Sequence, residues 1–354
     1  MQLSLLLPVN QDRSTLVHSL CQSTGVLERS GVAVVEATGA RAEELYDYHS
    51  KEYIAALAYS RRLSERQCQQ FGLVDDCPVF PGLYEYAQLC AGGSLQAPAA
   101  LCSSEATLAF HWDGGRHHAH KSTAAGFCYV NDVVLAILRL LGSFRRVMYV
   151  DLDVHHGDAV EEAFYLTRKV LTISLHKAGP LFFPGTGQMD RSGAGRGSGF
   201  NLNLPLKDGL RDELFTDIFK TLVAGAAQLY KPDCVVLQCG ADGLAHDPLG
   251  NAFSLSPRSY AACAAEAASW GMPLLVLGGG GYNSTATACC WTAMTAAFLG
   301  QDLEDDIPEH PFFDRYGPMY QIYTVGKPAL RPDLNQRDDV MRKCSALLKV
   351  LAGE

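Results

Sequence analysis

The chain has 354 residues, 48% of them hydrophobic and 33 of them glycine, which is enough to bury a large α/β core and excludes a disordered chain. A formal net charge of -9, with no Lys/Arg run longer than Arg61-Arg62 or Arg145-Arg146, argues against a surface that binds nucleic acid directly and is compatible with a cationic peptide substrate. The twelve cysteines show no CxxC pairs and no framework spacing, so they read as reduced core residues.

The opening MQLSLLLPVN lacks a basic start, a full apolar core and a small-residue cleavage site. No later apolar stretch reaches roughly 18 to 20 residues, so a soluble intracellular protein without a membrane partner is expected. The N-terminal third is the more helical, with RAEELYDYHSKEYIAALAYSRR its clearest helix. From there on helix and strand alternate. GFCYVNDVVLAILRLLG reads as a buried helix, RVMYVDLDV as a strand, DAVEEAFYL as a helix and KVLTISL as a strand. NLNLP is a strand, DELFTDIFKTLVAGAAQLY a long helix, CVVLQCG a strand and SYAACAAEAASW a helix. PLLVLGGGG as a strand, STATACCWTAMTAAFLG as a helix and a terminal helix complete the series. Short apolar runs alternating with longer amphipathic segments predict a parallel sheet covered by helices on both faces. No internal repeat or linker divides the chain, so one domain over residues 1–354 is expected.

In such a sheet a ligand site lies beyond the C-terminal strand ends. The polar clusters obey that rule: LAFHWDGGRHHAHK follows ATLAF, DLDVHHGD follows RVMYV, HK follows LTISL, ADGLAHD follows VVLQCG and GGGGYN follows PLLVL. Along DLDVH, alternation puts Asp151, Asp153 and His155 on one face and Val150, Leu152 and Val154 on the other. Buried carboxylates must be paired, hydrogen-bonded or metal-bound. Asp153 and His155, joined by Asp242 from another strand end, make an open three-ligand set of the kind that holds catalytic zinc, with iron, cobalt or manganese also suited. The competing reading of this stretch alone is a hydrogen-bonded strand-end network without metal.

The segments GGRHHAHKSTAAGFCYVNDVVLAIL, RVMYVDLDVHHGDAVEEAFY, TISLHK, FFPGTG, LQCGADGLAHDPLG and LGGGGYN resemble the class I zinc-dependent histone deacetylases, in order and over nearly the whole chain. The resemblance implies an arginase/deacetylase-like α/β fold with an eight-stranded, mainly parallel sheet. It implies hydrolysis of the acetyl-lysine amide of histones and other proteins, corepressor partners, and a place in nucleus and cytoplasm.

Carried over by motif, Asp153, His155 and Asp242 are the expected zinc ligands, with ferrous iron an alternative ion. His117 and His118 are the paired histidines, backed by Asp151 and Asp158, and Tyr282 is the donor to the acetyl carbonyl. Phe127 and Phe183 wall the acyl-lysine tunnel with Gly126 at its constriction, Asp76 holds substrate backbone at the rim, and Leu249 and Gly280 line the substrate site. Arg13 resembles the arginine of the inner acetate cavity. Two potassium sites are implied, one from Asp151, Asp153, His155, Ser174 and Leu175, the other from Phe164, Thr167, Val170 and Phe200.

Some positions depart from the family pattern. Arg116 stands where an apolar residue or Trp is usual and His120 where lysine is usual, and the opening lacks the usual aromatics. Binuclear ureohydrolases are disfavoured because Gly157 and Leu244 occupy positions where a second metal would need carboxylates. A polyamine deacetylase would carry an acidic gate where Leu249 stands, and a non-catalytic acyl-lysine-binding scaffold would have lost part of the set.

Overall fold

The computed structural model describes residues 12–324 and 331–354; the opening MQLSLLLPVN lies outside the described residues. The strands are β1 (Leu108–His111), β2 (Val147–Asp151), β3 (Val170–Lys177), β4 (Asn201–Leu206), β5 (Cys234–Gln238) and β6 (Leu274–Leu277). They form one sheet in the order β1-β6-β5-β2-β3-β4, every neighbouring pair parallel. β2 and β5 lie inside the sheet and are buried along their whole length, so VMYVD and CVVLQ read as nearly continuous apolar runs.

The two faces of β2 enter different cores. Met148 and Val150 pack in the larger core with Trp291 and Phe215. Val147 and Tyr149 pack in another with Val133 and Ile137. The helices, in chain order, are α1 (Arg13–Ser23), α2 (Ala42–Leu45), α3 (Lys51–Ala58), α4 (Glu65–Gln70), α5 (Leu83–Cys102) and α6 (Asp132–Leu140). After them come α7 (Asp158–Phe164), α8 (Asp212–Ile218), α9 (Ala224–Tyr230), α10 (Pro257–Ser269), α11 (Ser284–Phe298) and α12 (Arg337–Ala352).

The expected α/β class holds, but the eight-stranded sheet does not: six strands are present among the described residues. Segments beyond them meet other chain at single bridges, such as Leu244 with Leu255 and Asp306 with Gln321. Between Leu244 and Leu255 the chain turns because the Asp247 carboxylate accepts from the amides of Leu249 and Gly250. That local bonding competes with extension.

The single helix expected over RAEELYDYHSKEYIAALAYSRR is two helices, α2 and α3. Ser50 restarts the second by accepting from the Tyr53 amide at 3.3 Å. The long helix after β4 is α8 and α9 joined by a π-helical segment, Phe219–Val223. All twelve cysteines are free, and ten of them are buried. No helix among the described residues is long and apolar enough to cross a membrane.

Candidate active site

β2 ends with Asp151 level with Gln238 of β5 and Ser174 of β3, and the chain beyond carries Asp153, His155 and, at the start of α7, Asp158. The loop after β5 brings Asp242, and the glycine loop after β6 brings Gly280 and Tyr282. A fourth segment, after β1, is anchored by Asp132 at the start of α6, whose carboxylate accepts from the amides of Gly115 (2.8 Å) and Arg116 (2.7 Å). That anchor sets His117 and His118 against the end of β2 and the chain beyond it.

One ligand atom from each of Asp153, His155 and Asp242 lies within 4.8 Å of the others. His155 Nδ1 stands 3.1 Å from Asp153 Oδ1 and 2.9 Å from Asp242 Oδ2. The remaining carboxylate oxygens are already bound from outside. Asp153 Oδ2 accepts from the Gly280 amide (2.8 Å) and Gln238 Nε2 (3.1 Å), and Asp242 Oδ1 from the Val154 amide (2.9 Å). Such outer bonds fix which donors face a cation. Burial opposes charge on His155, but Asp153 and Asp242 outweigh it and raise its pKa to about 10. Two buried carboxylates thus demand a positive charge between them, and an oxygen/nitrogen/oxygen set with an open side fits a divalent metal. A side chain at residue 280 would interfere, since a Cβ there would lie 2.3 Å from Asp242 Oδ2 and 2.9 Å from Asp153 Oδ2.

The paired histidines have separate carboxylates. His117 Nδ1 donates to Asp151 Oδ2 at 2.7 Å, and His118 Nδ1 to Asp158 Oδ1 at 2.8 Å. Asp151 is shared further, accepting from the Tyr149 hydroxyl at 2.6 Å and the Asp153 amide at 3.1 Å. Burial opposes protonation of His117, yet Asp151 and Asp153 raise its pKa to about 9. Burial lowers that of His118 to about 4, aided by the charge on His117. One histidine therefore holds a proton and its neighbour is ready to accept one.

Gly126, Phe127 and Phe183 stand beside His118 and Tyr282. The Phe183 ring meets His118 edge-on at 4.8 Å, and Phe127 meets Tyr282 at 5.7 Å. Gly126 has φ +55, and a Cβ on it would stand 2.5 Å from His118 Cδ2 and 3.0 Å from the Phe183 ring. Asp76 Oδ2 accepts from the Gly126 amide at 2.8 Å, so the proposed rim acid also braces the wall. Leu249 and Phe183 are exposed apolar residues. Burial, with Asp242 and Asp153 nearby, holds the Tyr282 phenol well above its usual pKa, so it stays a hydroxyl donor.

Arg13 is buried on α1, donating from Nη1 to the carbonyls of Gly279 (3.1 Å) and Gly281 (2.9 Å), which flank Gly280. Its Nε and Nη2 have no hydrogen-bond partner among the described residues. Of the residues expected at a potassium ion, Ser174 and Leu175 lie on β3 beside Asp151. Phe164, Thr167, Val170 and Phe200 gather around the turn from α7 into β3, where the Thr167 amide bonds the Phe164 carbonyl and the Thr172 amide the Phe200 carbonyl.

Sequence reasoning missed several members. Gln238 ends an apolar strand with a buried amide on Asp153, and a lone glutamine in VVLQCG was its only signal. Asp247 receives the Tyr282 amide at 2.7 Å as well as those of Leu249 and Gly250. Phe182 stacks on His155 at 5.1 Å. His156 binds Thr186 (2.8 Å) and Glu161 (3.0 Å) away from the metal donors. Of the two departing positions, Arg116 is buried, and His120 pairs with Asp158 and Glu162.

Known proteins match this chain over most of its length. The histone deacetylase domain model matches residues 7–298. Histone deacetylase 8 of Danio rerio is 41% identical over 339 residues, covering 95% of this chain and 88% of that relative. Histone deacetylase 1 of Homo sapiens is 42% identical over 320 residues, 89% of this chain and 66% of that relative. Histone deacetylase 6 of Arabidopsis thaliana is 42% identical over 352 residues, 98% and 74% of the two chains. The chain is a hydrolase and belongs to the histone deacetylase family, among its class I members.

Proposed function

We propose that this chain hydrolyses the acetyl-lysine amide of histones and other proteins to lysine and acetate, with a divalent metal held by Asp153, His155 and Asp242. The observation that carries the reading is the convergence, beside the three metal donors, of two adjacent histidines each bonded to its own carboxylate. Zinc, or ferrous iron in its place, would supply Lewis acidity to the amide carbonyl and acidify a water.

The chain's own groups account for the remaining chemistry. His118, its Nδ1 proton held by Asp158, has Nε2 free to take a proton from the attacking water and return it to the amine that leaves. His117 keeps its proton beside Asp151 and favours the developing negative charge electrostatically. The Tyr282 hydroxyl donates to the oxyanion. Phe127 and Phe183 give the lysine stem an apolar wall, and Asp76 stands beside it for substrate backbone. Arg13, with two nitrogens that no described residue hydrogen-bonds, suits a carboxylate product.

Potassium at Asp151, Asp153, His155, Ser174 and Leu175, and at Phe164, Thr167, Val170 and Phe200, belongs to the same proposal, as do corepressor partners and action in nucleus and cytoplasm. The exposed, apolar Leu249 supports a protein substrate over a polyamine, which an acidic gate would favour. Purified protein assayed on an acetyl-lysine peptide is expected to show hydrolysis that a chelator abolishes and zinc or ferrous iron restores. Binding of the peptide without any hydrolysis, in metal-loaded protein, would replace this reading with a scaffold.

A further inference from the structure

Asp158 does not serve His118 alone. Its Oδ1 accepts from His118 Nδ1 (2.8 Å) and from the Ala159 amide (2.9 Å), while its Oδ2 faces His120 Nε2 at 3.5 Å. The other ring nitrogen of His120, Nδ1, meets Glu162 Oε2 at 2.5 Å, one helical turn along α7. One imidazole thus spans two carboxylates, and the backbone beneath it is fixed by the bond from the His120 amide to the Thr123 carbonyl at 2.9 Å. Exposure grades outwards through the row: the side chain of His118 is 5% exposed, Asp158 14%, His120 32% and Glu162 66%.

We propose that His120 is a positioning residue for the proposed base: as a cation it clamps the free oxygen of Asp158, so that the other oxygen stays aligned on His118. The inference rests on the reading of His118 and Asp158 as the base pair. Asp158 has to hold one ring proton in the resting enzyme and stay fully ionised as the His118 imidazolium forms. A carboxylate bound at one oxygen only is free to turn its second oxygen to water or to swing away. A cation on that oxygen removes both options.

Among the groups around His120, Asp158 and Glu162 on α7 favour its charge, and burial opposes it. Asp158 is the stronger influence, and the balance raises the His120 pKa to about 9, so the ring is charged at neutral pH. From the other side, Tyr48 lies within electrostatic reach of Glu162 and Asp158, and both ring nitrogens of His49 are engaged elsewhere, Nδ1 with the Lys121 carbonyl at 3.3 Å and Nε2 with the Asn131 amide at 2.9 Å. Lysine, usual at this position in the family, would place a cation on the same pair of carboxylates.

The test is steady-state kinetics of metal-loaded enzyme on an acetyl-lysine peptide for H120Q, H120K and H118A, with metal content and melting temperature measured for each. H120Q is expected to lower kcat roughly tenfold, less than the 100-fold or more that loss of the base itself costs, with KM, metal content and melting temperature near those of the parent. H120K is expected to recover kcat, because it restores the cation. Parent-like kcat in H120Q would overturn the proposal. So would H120K as slow as H120Q, which would deny the role of charge, or an H120Q defect seen in KM or metal content instead. Normal turnover by H118A would show separately that the base assignment itself is wrong, leaving His120 nothing to position.

Discussion

His117 and His118 are neighbours in sequence with ring centroids 3.9 Å apart, yet they donate to different carboxylates and are driven to opposite charge states. Asp151 and Asp153 both face His117, whereas His118 has Asp158 alone and the charge of His117 against it. Two imidazoles so close cannot both be charged at low cost, so the pair divides the roles.

The division gives a mutational asymmetry. H118A is expected to lower kcat by roughly 100 to 10,000-fold, the usual worth of general acid–base transfer, and H117A by less. Single-turnover rates on an acetyl-lysine peptide check this. A larger loss in H117A than in H118A would reverse the assignment.

Tyr282 tests the oxyanion argument apart from proton transfer. Its amide is pinned by Asp247 and its ring rests on Phe127, so Y282F keeps the packing and removes only the hydroxyl. Loss of one such donor costs about 100 to 1,000-fold, and the loss is expected in kcat with peptide affinity little changed. An equal loss in affinity and an unchanged kcat would make the hydroxyl a ground-state contact.

Much of this centre was legible before the fold was known, because the chemistry sits at strand ends. The alternation of DLDVH correctly separated Asp151, Asp153 and His155 from Leu152 and Val154, which enter the apolar core. The strands themselves followed from their apolar runs, whereas the expectation of eight came from resemblance, and the Asp247 turn shows why one candidate segment does not extend. What escaped were partners whose residue types carry no chemical signature. Gln238 and Phe182 look like ordinary strand and loop residues until another loop brings Asp153 or His155 against them. The side-chain link from His120 to Asp158 spans 38 positions of sequence and has no period to betray it.

Gly126 is a second place where backbone and site meet. In G126A the new methyl would overlap the His118 ring and force a left-handed residue to carry a side chain. Both kcat and kcat/KM are expected to fall, with the melting temperature lowered modestly. Binding of a narrow metal chelator that needs no lysine tunnel should survive. If acetyl-lysine turnover in G126A matched the parent, the backbone there would have more room than the Phe183 and His118 contacts allow.

Glu161 predicts how the fold responds to acid. Its side chain is only 6% exposed and is fully engaged: Oε2 accepts from His156 (3.0 Å), Asn201 (2.9 Å) and Asn203 (2.7 Å), and Oε1 from Arg191 (3.0 Å). Burial opposes ionisation, but these donors outweigh it and hold the carboxyl at about 2, below its ordinary value of 4.5. A carboxyl depressed by folding adds stability that is complete above its unfolded pKa and is lost as pH falls through the folded value. The contribution of Glu161 is therefore full above about pH 5 and disappears on descent towards pH 2. E161Q replaces an acceptor by an amide that turns a donor towards Asn201 and Asn203, so at pH 7 it should cost roughly 2 kcal/mol, the scale of hydrogen bonds lost from a buried charge. Denaturant unfolding of both proteins from pH 7 to pH 3 checks the sign: the gap between parent and variant should narrow as pH falls. A gap that stays constant across that range would mean that Glu161 contributes shape and not charge to the joint between α7, β4 and the His156 loop.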